Sequence, residues 1–93
     1  MFRAARKDAN HKQIVELFRG LGWSVLDVAQ LKNCCDIFVA KNGLTIAIEI
    51  KDGNKPPSAR KLTPGEVKFK ERWSGNYAIV MSEEDVFRIN TNK

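Results

Sequence analysis

Apolar positions along the chain fall into a few short periods. Ile14, Leu17, Phe18 and Leu21 recur at helical spacing, which predicts an amphipathic helix with Asp8 as its N-cap and Gly20 and Gly22 at its end. The Trp-Ser-Val-Leu-Asp-Val run at 23–28 predicts a strand, followed by a polar connection over 29–33. Two β-rich runs, 35–41 and 44–51, flank Asn42-Gly43, the pair of residues that most strongly marks a two-residue hairpin turn. Residues 52–62 contain Gly53, Asn54, Pro56, Pro57 and Ser58 and predict a loop. Thr63-Pro64-Gly65-Glu66 then offers an N-cap, a proline at the first helical position and a capping-box glutamate, so a second helix is expected to about Ser74. An apolar strand over 77–81 and a short helix, capped by Ser82 and running to about Ile89, complete the order αβββαβα. This is an α/β chain with a small mixed sheet, an antiparallel β-meander and flanking helices. No internal repeat or low-complexity segment interrupts it.

A two-residue turn at Asn42-Gly43 fixes the hairpin register. Lys41 faces Leu44, and continued pairing sets Asp36 opposite Glu49. Alternation then gathers Leu44, Ile46, Ile48 and Ile50 with Ile37 and Val39 on one face. The other face carries Thr45, Ala47, Glu49 and Lys51 across from Ala40, Phe38, Asp36 and Cys34. Opposed carboxylates whose side chains start ~5 Å apart repel one another. A hard divalent cation such as Mg²⁺ would offset that repulsion, and Lys51 adds a positive charge on the same face. Glu49 alone would read as a solvated strand residue. The small or apolar neighbours Thr45, Ala47, Phe38 and Ala40 instead suggest that this face is covered.

Composition sets the bounds on this reading. With 93 residues there is room for one domain, 1–93, with residues 1–7 expected as a flexible basic arm. Sixteen Lys and Arg against eleven Asp and Glu give a formal charge of +5, which favours a polyanionic partner without identifying it. The adjacent Cys34 and Cys35 are poorly placed for a disulfide or a zinc site and read as reduced packing residues. No apolar run is long enough to span a bilayer, so a cytoplasmic protein that is not secreted is expected.

Asp36, the intervening hairpin and Glu49-Ile50-Lys51 resemble the P-D…(D/E)-x-K nuclease signature. The resemblance is closest to the stand-alone phage type of the virus-type replication-repair nucleases (VRR-NUC). It also rests on Asp8-Ala9-Asn10, Ile14-Val15, Cys34-Cys35-Asp36, Asp52-Gly53, Lys55-Pro56-Pro57-Ser58-Ala59-Arg60 and Leu62-Thr63-Pro64. The sequence departs from the family at Cys35, where proline usually precedes the aspartate, at Gln13 in place of a helix glutamate, and at Glu66 in place of a glutamine. The resemblance implies a restriction-endonuclease-like fold and metal-dependent hydrolysis of structured DNA (four-way junctions, flaps or splayed arms) by a homodimer in phage replication, recombination or repair. Asp36, Glu49 and the carbonyl of Ile50 would hold Mg²⁺ or Mn²⁺, and Lys51 would position water or neutralise charge on the phosphate.

Around this set, Gln13 and Glu66 are candidates to support the ligands from behind, although Thr63-x-x-Glu66 reads first as a capping box, with the supporting role the lesser reading. Lys55, Arg60, Lys61 and Lys68, with Lys70 and Arg72 beyond them, are candidate phosphate contacts that would give affinity without base preference. Glu16 falls on the solvated side of the first helix, and the lone His11 is assigned no catalysis. Two rival readings remain: a non-catalytic DNA-binding module on the same fold, and an interaction protein with an incidental basic surface.

Overall fold

The computed structural model describes residues 8–92. In chain order it contains helix α1 (His11–Gly20), strands β1 (Ser24–Asp27), β2 (Ile37–Lys41) and β3 (Leu44–Ile50), a 3-10 turn (Pro57–Arg60), helix α2 (Pro64–Arg72), strand β4 (Asn76–Val80) and helix α3 (Glu83–Asn92). The basic arm expected at residues 1–7 lies outside the described residues. The sheet runs β1-β2-β3-β4, antiparallel through the first three strands and parallel between β3 and β4. A parallel neighbour needs a crossover, and the connection through α2 supplies it. The predicted order and the mixed sheet are both present. Asn42 (φ 53°) and Gly43 (φ 83°) both have the left-handed backbone that a tight hairpin turn requires.

Strand β3 is buried on both faces from Ile46 to Ile50. On one side Ile46, Ile48 and Ile50 join Ile37, Val39 and Val80 beneath Ile14, Val15 and Phe18 of α1 and Val86 of α3. On the other, Ala47 packs with Val28 and Cys35 under Phe38, Phe69, Trp73 and Tyr77. There the rings of Phe69 and Trp73 stack at 5.6 Å, and Phe38 lies 5.4 Å from Trp73. Each fully buried Ile or Phe contributes roughly 1.5–3 kcal/mol, so the two layers fix β3 far more firmly than its own hydrogen bonds would.

Several element boundaries depart from the sequence expectation. Helix α1 begins at His11 and not directly after Asp8: the Asp8 carbonyl accepts the His11 N–H at 3.0 Å in a turn ahead of the helix. Asn10 occupies the cap position, but its side chain is used elsewhere, donating to the carbonyls of Lys51 and Met81, each at 3.2 Å. Trp23 leaves the first strand for the core, edge-on to Phe18, and its indole N–H donates to Asn90. The 52–62 segment is not all loop, because Pro57–Arg60 forms a 3-10 turn. Helix α2 stops at Arg72, short of Ser74, where the Trp73 indole N–H turns to the Asn76 carbonyl. Helix α3 continues past Ile89 to Asn92, and at its entry the Asp85 carboxylate accepts the Met81 N–H at 2.9 Å. His11 is buried and paired with Asp27 at 2.9 Å, which ties α1 to the edge strand, while Glu16 is exposed as expected. Both cysteines are free, and Cys35 is buried.

Two glycines hold close approaches. The Gly53 N–H donates to the Met81 carbonyl at 3.1 Å, and a Cβ on Gly53 would stand 2.8 Å from that oxygen. A Cβ on Gly65 would stand 2.6 Å from the Asn33 side-chain oxygen. Gly53→Ala must displace backbone and is expected to cost about 1–3 kcal/mol. Gly65→Ala needs only an amide to turn and should cost less; urea denaturation of the two variants measures the difference.

Candidate active site

The antiparallel register of β2 and β3 follows the predicted pairing from Lys41↔Leu44 to Ile37↔Ile48 and then changes. Asp36 is not a regular ladder partner of Glu49. Its N–H turns to the carbonyl of Ile48 at 3.0 Å, one residue off register, while its own carbonyl accepts the Val28 N–H at 2.9 Å. Such a slip re-aims a side chain in the manner of a bulge. The Asp36 carboxylate consequently reaches β3 and accepts the Ile50 N–H at 2.7 Å. Cys35, just before the bend, is buried in the α2-side cluster with Val28 and Ala47.

Glu49 is the penultimate residue of the covered strand and is 1 % exposed. Lys51, two residues on, is 8 % exposed and donates from Nζ to Glu66 Oε1 at 2.7 Å. Glu66 is the capping residue the sequence suggested, and it has a second partner. It closes the capping box, accepting the Thr63 N–H at 2.8 Å, and with the same oxygen it holds Lys51. The crossover is what joins them, because α2 starts over the end of β3.

These groups share few protons. Burial, then the hydrogen bonds and charges of Asp36 and Glu66, push the Glu49 carboxyl far above the usual carboxylate range. Burial would also raise Glu66, but hydrogen bonds from Lys51, Glu49 and Thr63 outweigh it and leave Glu66 below its ordinary value. Of the two carboxyls, Glu49 is the one pushed towards its neutral form. Burial pulls Lys51 down, yet Glu66, Glu49 and Asp8 overcome it and hold the ammonium above its ordinary value. Lys51 is thus a fixed cation, not a ready base.

Three residues at or beside this cluster carry signals that spacing did not reveal. Asp8, read only as a helix cap, lies within electrostatic reach of Lys51, Lys55 and Asp36, and burial raises its carboxyl. Asn10 staples the ends of β3 and β4 through the carbonyls of Lys51 and Met81. Tyr77, read as a strand residue, has a buried hydroxyl with no hydrogen-bond partner, and burial followed by Glu49 raises its pKa to about 12. Only the Asp8-Ala9-Asn10 triplet hinted at any of these.

The remaining candidates lie further out. Gln13 is exposed and hydrogen-bonds Glu83 on α3. Together they line a 530 Å³ cavity with Asn10, Asp52, Arg60 and Met81. Arg60 is half-buried and directs Nη1 at the Met81 sulfur. Lys55 is exposed, 3.9 Å from Asp8, and Lys61 and Lys68 are exposed.

Among the described residues, no group of three or more His, Cys, Asp or Glu side chains is arranged to hold a metal ion. A hard cation of the Mg²⁺ type is bound through one or two carboxylates with waters, and Asp36 with Glu49 meets that smaller requirement. The specific sign of fit is Glu49 Oε1, which is buried and reached by no donor. The chain matches no family model, and no curated protein or solved structure is significantly similar to it. No helix among the described residues is long and apolar enough to cross a membrane.

Glu49 carries a pH-dependent cost. Its folded carboxyl is raised above the unfolded one, so the stability it lends is complete in acid and fades as pH rises through and beyond the unfolded carboxylate pKa. Without divalent ions, the melting temperature is expected to fall between about pH 5 and pH 8. Glu49→Gln, which keeps a neutral hydrogen-bonding group, should flatten that fall and equal or exceed the parent at pH 8. Thermal melts of both proteins in chelator check it.

Proposed function

We propose that the chain is a metal-dependent deoxyribonuclease of the VRR-NUC kind, hydrolysing phosphodiester bonds in branched DNA. The observation that carries this reading is the buried Glu49 beside the re-aimed Asp36, with a fixed ammonium at Lys51. A carboxyl kept on a covered inner strand destabilises the fold unless a partner uses it. Asp36, Glu49 and the carbonyl of Ile50 would hold Mg²⁺ or Mn²⁺. When bound, the ion supplies activation of water and stabilisation of the departing oxygen.

The chain's own groups do the rest. Lys51, kept charged by Glu66, neutralises charge developing on the phosphate and orients the attacking water. Because Lys51 is held protonated, it serves as an electrostatic group and does not remove the proton. Asp8 adds a carboxylate within electrostatic reach on the α1 side, where Gln13 supplies no charge. The exposed Lys55, Lys61 and Lys68 give the phosphate backbone a salt-sensitive landing surface. The exposed Leu26 on the edge strand and Leu31 beside it are apolar surface on which a second copy could seat, in keeping with a homodimer making paired cuts.

The alternative is a basic DNA-binding module without catalysis. Labelled duplex, flap, splayed-arm and four-way junction DNA, incubated with and without Mg²⁺ or Mn²⁺, separates the two. Metal-dependent cutting of branched forms is expected. Asp36→Ala and Lys51→Ala should each lower the rate by about 10³-fold or more while retaining salt-sensitive binding. Undiminished cutting by Asp36→Ala refutes the site, and binding without cutting by the parent selects the alternative.

A further inference from the structure

Glu49 Oε1 and the Tyr77 hydroxyl are both buried and both without a hydrogen-bond partner. They belong to the same face of the sheet. Tyr77 pairs with Ala47 across the parallel β3–β4 ladder, and Glu49 follows Ala47 by one pleat on the α2 side. Tyr77 is also within electrostatic reach of Glu49, Glu66 and Asp36, in that order. One group is an acceptor lacking a donor and the other a hydroxyl lacking an acceptor. Leaving such atoms unpaired in a covered layer is costly, and native structures seldom keep them without a use.

The nuclease reading supplies that use. A carboxylate that gives one oxygen to a cation leaves the other in need of a donor, and ligating side chains are ordinarily held by such a partner behind them. Lys51 is engaged by Glu66 at 2.7 Å, and Asp36 and Glu66 act as acceptors towards the Ile50, Thr63 and Lys51 donors. Of the groups around Glu49, the phenol is the donor left over. Its ring is held on the outer side by Lys70, whose ammonium lies 5.6 Å from the ring centroid.

We propose that Tyr77 is a positioning residue for the site, its hydroxyl donating to the Glu49 carboxylate when a divalent cation is bound there. This rests on the nuclease reading, but it concerns a residue that neither the D…E-x-K spacing nor the family pattern marks.

Tyr77 is the only tyrosine in the chain, so a tyrosine ring-carbon label reports on it alone. The full chain carrying ¹³Cζ-tyrosine is titrated with Mg²⁺ in NMR, beside calorimetric Mg²⁺ binding and thermal melts of the parent, Tyr77→Phe and Glu49→Gln. The Cζ resonance of the parent should shift with Mg²⁺ and stay fixed in Glu49→Gln. Tyr77→Phe should bind Mg²⁺ about tenfold more weakly and lower kcat with the KM for DNA unchanged. Without metal, its melting temperature should equal or exceed that of the parent, because an unpaired hydroxyl is removed. If the parent binds Mg²⁺ while Cζ stays fixed, or if Tyr77→Phe binds as tightly, the inference is overturned and the nuclease reading stands. A metal-free loss of stability in Tyr77→Phe makes the residue structural and also overturns it. Absence of Mg²⁺ binding by the parent fails the nuclease reading and this inference with it.

Discussion

A buried carboxyl near the end of an inner strand is the constraint around which the rest of this molecule is arranged. Glu49 is inaccessible because β3 is covered on both faces, and it is covered because β3 is the strand shared by the meander and the parallel crossover. An ionised carboxylate there would have to be paired, hydrogen-bonded or metal-bound. Burial and its acidic neighbours push Glu49 towards its neutral form, while Lys51 and Glu66 are held towards their charged forms.

The surrounding elements follow from that arrangement. The capping glutamate of helix α2 is also the counter-ion of Lys51, so one carboxylate serves helix initiation and site electrostatics together. The strand ends next to the site are drawn together by Asn10 and by the close passage of Gly53 against Met81. The ladder slip at Asp36 aims its carboxylate at the β3 backbone, where it accepts the Ile50 N–H. Each of these contacts joins residues far apart in sequence. The site is therefore only as ordered as the sheet and its two covering layers.

That dependence separates what local pattern could reveal from what it could not. The hairpin was legible because Asn42-Gly43 is a turn with few alternatives and alternation then sorts every side chain to a face. The second helix was legible because Thr63, Pro64 and Glu66 carry their own start signal. The first helix was misjudged at its start because Asn10 prefers partners on β3 and β4 to the helix it precedes, a choice invisible to any window of neighbouring residues. Likewise Asp36 was expected straight across from Glu49, and the bend that re-aims it arises where β1 and β3 both claim its backbone.

The sequence by itself determined the element order, the hairpin register through Ile37, the two faces of β3 and the grouping of Asp36, Glu49 and Lys51, since all of these are set by spacing along one or two strands. Tertiary structure decided that Glu49 is buried and its carboxyl pushed up, that Lys51 is bound to Glu66, and that Asp8 and Tyr77 belong near the same charges. Those are consequences of desolvation and of contacts across the α2 crossover, and neither quantity exists until the layers close over β3.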